Sequence, residues 1–377
     1  MSKYYLFILL LIIACACSTS DEDFDQKQTV NGLYVASNVP LAADGADTSD
    51  DENLIIDSFD ANSILYFSQL GTTSTPNFKD FSENASPYCY QYQYNPNLSA
   101  NWESGYNFKC RDSYQPFDWD AVPELGSVGN AFSFFAMYFP GDNTVKWNVQ
   151  TDQSEKENFI KSDIMGAYHA TSALYTRMRF NLFHLMVYLK VTIYVPTFQE
   201  NDNNNNFSYS GFDENALLGA YVLNANTGFD IDWLAVRSSD KMAPLTQSTG
   251  PKDNIKMYTH AISNETKEID VRDYYNGGNI EKDEVRAYSF SVIFPSQSFG
   301  DNFLCFALKD IDEATRYFYF SGSQIIGDGG NYSLSQGTLQ ELELYLPRNS
   351  NETILLGANI IPWKDSVTDM TVSKKTQ

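Results

Sequence analysis

Residues 185–195 alternate between aliphatic residues and others, and this pattern constrains the fold more than any other part of the chain. The aliphatic series occupies the odd positions: Leu185, Val187, Leu189, Val191, Ile193 and Val195. A period of two is typical of a β-strand with one face in a core. The alternation recurs at 288–294 and 342–346, and a proline directly follows the last apolar residue in both places. Because no long window keeps a 3.6-residue apolar repeat, the sequence predicts an all-β chain of mostly antiparallel strands in sandwiches.

The charge of the chain limits its partners. The 377 residues include 25 Lys+Arg and 48 Asp+Glu, a formal net charge of −23. Nucleic acids and anionic lipid head groups are both bound through cationic side chains, so neither is an expected partner. Hydrophobic residues make up 43% and aromatic residues 15% of the chain, which is enough to bury a sizeable core despite the acidity.

The N-terminus has the pattern of an export signal. Residues 1–16 read MSKYYLFILLLIIACA, with Lys3 as a minimal cationic region before an uncharged apolar run. The run is shorter than the roughly 20 residues that a membrane-spanning helix needs, and its length is that of a secretory signal peptide. An uncleaved anchor or a buried strand is the alternative interpretation.

Two cysteines close this segment, and each follows an alanine. An apolar run, a small residue and then cysteine resembles the bacterial lipobox, in which the thiol is acylated and the cysteine becomes the new N-terminus. Cys17 is the preferred candidate because the acidic run STSDED at 18–23 resembles the signal that sends some Gram-negative lipoproteins to the cell surface. Cys15 is the other candidate, since Ile12 fits the apolar preference three residues before it. An acyl chain would anchor the protein without a transmembrane helix.

Composition suggests where the chain divides. We expect a signal peptide at 1–16 and a polar tether at 17–30. Residues 199–206 read QENDNNNN, a polar run with nothing to bury, which fits a boundary between an N-terminal β-sandwich domain at 31–197 and a C-terminal one at 207–377. The same run would also fit the tip of a long exposed hairpin.

The sequence contains no recognisable catalytic or metal-binding pattern. We find no nucleophile elbow, phosphate-binding loop, zinc-protease motif or dinucleotide fingerprint. His184 directly precedes the long alternating stripe, and we expect it to be a hydrogen-bonded structural histidine. We therefore predict no catalytic residue, no metal ligand and no cofactor.

Three cysteines remain in the mature chain. Cys89 and Cys110 could form a disulfide, which an exported protein permits, and Cys305 would then be a free thiol. Alternatively, all three are small buried apolar residues.

Five segments together resemble one protein family. They are FFAMYFP at 134–140, SDIMGA at 162–167, MRFNLFHL at 178–185, IFPSQ at 293–297 and LLGANIIPW at 355–363. Their order and spacing are similar to those of the fimbrillins, the pilus subunits of anaerobic Gram-negative gut and oral bacteria. With the lipobox, the resemblance covers most of the mature chain.

The resemblance implies a non-enzymatic surface protein. Fimbrillins have two tandem transthyretin-like antiparallel β-sandwich domains and are exported as outer-membrane lipoproteins. In polymerising members a protease removes the first strand, and a strand from a neighbouring subunit takes its place. The implied partners are other fimbrial subunits through β-strand donation, the outer membrane through the lipid anchor, and a host protein or glycan receptor.

Two departures from the family pattern point to a minor, anchor or tip-like subunit. The processing site of the best-known members follows an arginine after the first strand, but the first arginine here is Arg111. The C-terminal residues 364–377 also alternate poorly for a donor strand. A surface glycan-binding lipoprotein that stacks sugars on Trp102 or Trp119 is the alternative function, and a glycoside hydrolase is a more distant one.

Overall fold

A computed structural model describes residues 34–38, 54, 58–70, 89–97, 107–112, 114, 116–117, 132–142, 144–171, 177–197, 212, 215–231, 246–262, 265–272, 282–309, 314–326, 330–348 and 351–362. Twenty β-strands account for most of these residues, and only two short helices accompany them, so the prediction of an all-β chain is confirmed. Within the described residues, no helix is long and apolar enough to cross a membrane.

The first half of the chain forms an eight-stranded sheet with the order β7-β1-β4-β3-β2-β5-β6-β8. Its strands are β1 (Tyr34–Asn38), β2 (Ile64–Leu70), β3 (Cys89–Tyr94), β4 (Phe108–Cys110), β5 (Phe132–Tyr138), β6 (Met165–Thr171), β7 (Arg177–Asn181) and β8 (Phe183–His184). Neighbouring strands are antiparallel except β1 and β7, which run parallel.

The two faces of this sheet belong to two different cores. Leu65 and Phe67 of β2 lie in a buried cluster whose members all come from the first half of the chain. Ile64 and Tyr66, which alternate with them, lie in the larger cluster that extends through the second half. Because successive side chains of a strand point to opposite faces, one apolar strand serves both cores.

The second half forms two larger sheets and a two-stranded one. Its strands are β9 (Val187–Pro196), β10 (Leu217–Ile231), β11 (Thr246–Lys256), β12 (Tyr258–Thr259), β13 (Thr266–Asp270), β14 (Lys282–Phe294), β15 (Gln297–Phe299), β16 (Leu304–Lys309), β17 (Thr315–Phe320), β18 (Tyr332–Leu334), β19 (Thr338–Tyr345) and β20 (Ile354–Pro362). The orders are β11-β10-β16-β17, β12-β14-β9-β19-β20 with β13 on β14, and β15-β18.

The two larger sheets share one core, as expected for a sandwich. Val191 of β9 and Phe290 of β14 belong to the same buried cluster as Val222 of β10 and Phe306 of β16. The helices α1 (Lys156–Lys161) and α2 (Ser323–Ile326) lie beside this core, and Phe159 of α1 is buried within it.

The position of β9 differs from the predicted domain division. The N-terminal domain at 31–197 would include β9, but β9 pairs antiparallel with β14 and parallel with β19, so it is a central strand of a sheet formed by the second half. The alternation identified the strand correctly. It could not identify its partners, because those lie about 90 to 150 residues further along the chain. The alternation of side chains also does not depend on which strand is the hydrogen-bonded neighbour.

β9 is also more deeply buried than a strand with one core face. Tyr188 and Tyr194, on the face opposite the aliphatic stripe, are both buried. Phe159 of α1 packs edge-on against Tyr188, with ring centroids 5.6 Å apart. Tyr194 belongs to a small third cluster with Val271 of the segment after β13. Both faces of β9 are therefore covered, and only Lys190 and Thr192 remain half-buried.

Candidate functional site

β1 occupies a slot between two strands that are far apart in the sequence. On one side it pairs parallel with β7 along its whole length, from Tyr34 opposite Arg177 to Asn38 opposite Asn181. On the other side it pairs antiparallel with β4 at Val35 opposite Phe108. We call this position, bounded by β4 and β7, the β1 slot. Both backbone edges of its occupant are hydrogen-bonded, and the occupant comes from a single five-residue strand.

The floor of the slot is apolar. Val35 is 0% exposed and lies in the same cluster as Phe108 of β4 and as Met178 and Phe180 of β7. Phe180 also contacts the Phe67 ring, with centroids 5.5 Å apart. A vacant slot would expose these side chains to water, so the occupant contributes hydrophobic stabilisation as well as backbone hydrogen bonds.

A polar residue faces the same core two positions after Val35. Ser37 is only 1% exposed, and its Oγ donates to the backbone oxygen of Phe180 at 3.0 Å. A buried hydroxyl without a partner would be unfavourable, and this bond to β7 satisfies it.

Asn107 extends the short pairing between β1 and β4. β4 begins only at Phe108, and the backbone nitrogen of Asn107 donates to the Val35 oxygen at 3.3 Å. Beyond that point the Asn107 side chain replaces the backbone: its Oδ1 accepts from the Ser37 nitrogen at 3.0 Å, and its Nδ2 donates to the Ser37 oxygen at 2.7 Å. One side chain therefore satisfies both backbone groups on this edge of Ser37.

Sequence reasoning did not single out Asn107. An asparagine between Tyr106 and Phe108 has no pattern of its own, and asparagine is common in turns, so a single sequence carries no signal for this role. The role depends on β1 and β4 being neighbours, which only the tertiary structure shows.

The predicted lipidation residues Cys15 and Cys17 lie outside the described residues, as do Trp102, Trp119 and Cys89's side chain. Acylation therefore stays a prediction from sequence.

Cys110 is a free thiol, which rules out the disulfide with Cys89 that the sequence allowed. Cys110 stands opposite Tyr92 in the β3–β4 ladder, and Tyr92 is three residues after Cys89 along β3. At about 3.3 Å per residue this offset places the two Cα atoms roughly 10 Å apart, beyond the reach of a disulfide. Burial raises the pKa of the Cys110 thiol, as it does that of Cys305, the other free thiol among the described residues.

The prediction that His184 is hydrogen-bonded and structural is confirmed. Its Nδ1 lies 2.7 Å from Oδ1 of Asp163, and both side chains are buried. Asp163 lies two residues before β6 begins, and His184 in β8 stands opposite Met165 of β6. The pair thus fixes the start of β6 against the segment that leads into β9.

The five segments that carry the family resemblance lie on or next to strands. The segment 134–140 overlaps β5, 162–167 leads into β6, and 178–185 spans β7 and β8. The remaining two cover the turn from β14 to β15 and most of β20, and Trp363 lies outside the described residues.

A second surface feature is a pair of exposed tyrosines on the edge strand β17. Phe318 points into the core, so Tyr317 and Tyr319 point outward, and they are 48% and 36% exposed. The residues opposite them on β16 are Ala307 and Cys305, both small and uncharged. We call Tyr317, Tyr319 and these two neighbours the tyrosine platform.

The described residues contain no group of three or more His, Cys, Asp or Glu side chains placed to hold a metal ion. The β1 slot itself offers backbone hydrogen bonds, apolar contacts and one carboxamide. The arrangement is suited to binding an extended peptide segment.

No family model and no curated protein matches the sequence. Several solved structures are similar in fold. A provisionally assigned cell adhesion protein from Bacteroides uniformis has a TM-score of 0.44 at 11% identity, with 89% of this chain and 100% of that chain covered. A fimbrial assembly protein from Parabacteroides distasonis has a TM-score of 0.35 at 9% identity over 87% and 97% of the two chains.

The tip fimbrial protein Mfa3 from Porphyromonas gingivalis, truncated at its C-terminus, has a TM-score of 0.36 at 8% identity, with 88% of this chain and 99% of that chain covered. Scores and identities of this size do not establish a shared function.

Proposed function

We propose that this chain is a non-enzymatic structural subunit of a bacterial surface fimbria, which supports adhesion and joins other subunits by strand exchange at the β1 slot. The observation that carries the proposal is the pairing of β1 on both edges, with β7 and with β4. Without β1, the two strand edges would face each other across an apolar groove. A strand from another subunit would satisfy the freed backbone groups and cover the groove, which is recognition by β-augmentation.

The charge pattern around β1 supports a minor, anchor or tip-like subunit. Between β1 and β2 the sequence contains no lysine or arginine; the nearest are Lys27 before β1 and Lys79 after β2. A protease specific for basic residues would therefore have no site in the connection that must be cut to release β1 alone. Release of β1 would therefore need a protease of another specificity, which sets this chain apart from subunits that are processed after an arginine.

The N-terminal sequence supports an outer-membrane anchor. Acylation at Cys17, or alternatively at Cys15, would leave the polar tether that ends at residue 30 just before β1. The tether would hold the subunit at the cell surface until β1 is released. We further propose that the chain has two tandem sandwich domains, with the boundary before β9 rather than after it.

The test is the N-terminus and location of the mature chain. Mass spectrometry should find an acylated cysteine as the first residue of the membrane-anchored form, and sheared appendages should contain the chain with an N-terminus beyond β1. Replacing both Cys15 and Cys17 by serine should remove it from the membrane fraction, whereas the matched control Cys305→Ser should not. A chain that is absent from appendages and stays monomeric in membranes would contradict the fimbrial role.

The tyrosine platform favours glycan binding as the alternative function. Tyr317 and Tyr319 present aromatic surface beside the small, uncharged Ala307 and Cys305 of β16. Aromatic side chains with a polar tip suit partly hydrated contacts with neutral ligands. Binding to a polysaccharide array that is lost in Tyr317→Ala and Tyr319→Ala, and retained in the control Tyr168→Ala, would support it. An array without binding would contradict this alternative.

A further inference from the structure

The β1 slot distinguishes between possible occupants at two neighbouring inward positions. Val35 fills the apolar position, and Ser37 fills a position that is equally buried but offers the backbone oxygen of Phe180 as a hydrogen-bond acceptor. A large aliphatic side chain at the second position would leave that oxygen without the hydroxyl, and a charged one would be desolvated. The two positions therefore differ in chemistry.

The β4 side of the slot distinguishes between registers. Only one β1 residue is paired with β4 itself, at Val35 opposite Phe108. The next residue that points its backbone groups toward β4 is Ser37, and these groups are bonded by the Asn107 side chain. A strand shifted by one residue would turn its apolar side chain out of the core. A strand with proline at the Ser37 position would have no N–H to donate to the Asn107 Oδ1.

Resting on the strand exchange proposed above, we infer that the β1 slot accepts a strand from another polypeptide in which an apolar residue is followed, two positions later, by a small residue with a hydroxyl group, and that Asn107 is the positioning residue that fixes its register. Asn107 bonds the backbone nitrogen and oxygen of the residue at the Ser37 position, whatever side chain that residue carries. Asn107 therefore sets where the backbone of the strand lies. The Val35 and Ser37 positions then set which sequences fit.

The experiment uses the full mature chain with a cleavage site. The recognition sequence of a site-specific protease replaces residues 42–48, between β1 and β2, and a scrambled sequence there serves as the uncut control. After cleavage, β1 is held only by non-covalent contacts. A fluorescent peptide with the sequence of residues 31–41 is then added, and its entry is followed by anisotropy.

Three peptides test the two parts of the inference. The unmodified peptide should enter the slot, and the Ser37→Val peptide should bind about tenfold more weakly because it lacks one hydrogen bond to a buried acceptor. A peptide methylated on the Ser37 backbone nitrogen should also bind about tenfold more weakly. Methylation at Leu41, outside β1, is the matched control and should have no effect.

The Asn107→Ala chain supplies a readout that a merely structural role would not change. It should bind the unmodified peptide at least tenfold more weakly. Methylation of the Ser37 nitrogen should then weaken binding no further, because Asn107→Ala has already removed the acceptor of that N–H. The control Asn97→Ala, in an exposed turn, should behave as the unaltered chain. Should Asn107→Ala not fold, the methylated and Ser37→Val peptides on the unaltered chain still decide the inference.

The outcomes separate this inference from the proposed function. If no peptide enters the cut chain, strand exchange is wrong and the inference falls with it. If the unmodified peptide enters but all three peptides bind equally, or methylation costs the same with and without Asn107, the slot accepts strands without the selectivity inferred here.

Discussion

The carboxamide of Gln153 binds both backbone groups of Ile293, 140 residues further along the chain. Its Nε2 donates to the Ile293 oxygen at 2.7 Å, and its Oε1 accepts from the Ile293 nitrogen at 2.9 Å. Ile293 lies in β14 just past Ser291, where the pairing with β12 ends. Gln153 therefore continues the ladder as a side chain, much as Asn107 does for β1. Gln297 makes a third contact of this kind, with the nitrogen and oxygen of Asn226 in β10.

We predict that Gln153→Ala lowers the free energy of unfolding by about 2–4 kcal/mol, because two buried backbone groups lose their partner. Urea denaturation followed by circular dichroism measures the change. Gln150→Ala is the matched control, since only the backbone oxygen of Gln150 takes part in this network. Equal denaturation midpoints for the two variants would show that Gln153 is replaceable.

The buried ion pair of Arg348 and Asp283 gives a second prediction. The Arg348 Nη2 lies 2.7 Å from Oδ1 of Asp283, Tyr345 donates its hydroxyl to the same carboxylate at 2.7 Å, and both charged side chains are buried. Arg348→Met alone should destabilise the protein by about 3–5 kcal/mol, because it leaves a buried carboxylate without its cation.

The double variant Arg348→Met/Asp283→Leu should recover much of that loss, since no charge then remains buried. Thermal unfolding compares the single and double variants. Arg272→Met is the control, because Arg272 and its partner Asp270 are both more than half exposed, and no measurable change is expected. A double variant less stable than the single one would contradict this account.

The free thiols should react unequally. Burial raises the pKa of Cys305 to about 11, and its side chain is 5% exposed, whereas Cys110 is half-buried. We expect iodoacetamide to modify Cys110 slowly in the folded protein and Cys305 only after denaturation, because the thiolate is the reactive form. Peptide mass spectrometry measures both, and a cross-linked Cys89–Cys110 peptide without reductant would contradict the structure.

Stability should fall at high pH through the buried tyrosines. Burial raises the pKa of Tyr138, Tyr188 and Tyr332 from 10.0 to about 12. Because the folded-state pKa lies above the unfolded one, the contribution of these hydroxyls is complete below pH 10 and is lost as the pH rises toward 12.

Ultraviolet absorbance should show tyrosinate forming at higher pH in the folded protein than in urea. The tyrosines that ionise at the highest pH should do so as the protein unfolds, which is seen as a loss of its circular dichroism signal. Complete ionisation near pH 10 with the fold intact would contradict the burial of these side chains.

The strands could be predicted where alternation is long. The stripe at 185–195 corresponds to β9, 288–294 lies in β14, and 342–346 covers the end of β19 and the residue after it. Side-chain period depends only on local backbone geometry, so a sequence window is sufficient to detect it. The burial of His184 against a hydrogen-bond partner also followed from its place before an apolar strand.

The partners of these strands could not be predicted in the same way. β9 was expected to close the first domain, yet it is hydrogen-bonded to β14 and β19. The two parallel pairs, β1–β7 and β9–β19, were likewise not indicated by any sequence pattern. Strand pairing depends on which strand edges come together when the long loops between them close, and a short sequence window contains no information about those distant strands.

The sequence alone determined that this protein is a β-rich, acidic chain, and it predicts an export signal and two candidate acylated cysteines, because periodicity, charge and motif spacing are local properties. Only the tertiary structure decided that β1 lies between β4 and β7 and that Asn107, Gln153 and Gln297 each take the place of a strand. Those roles depend on backbone groups that the fold brings together from distant parts of the chain. A buried backbone amide without a partner is destabilising, so a side chain that can hydrogen-bond to it stabilises the fold.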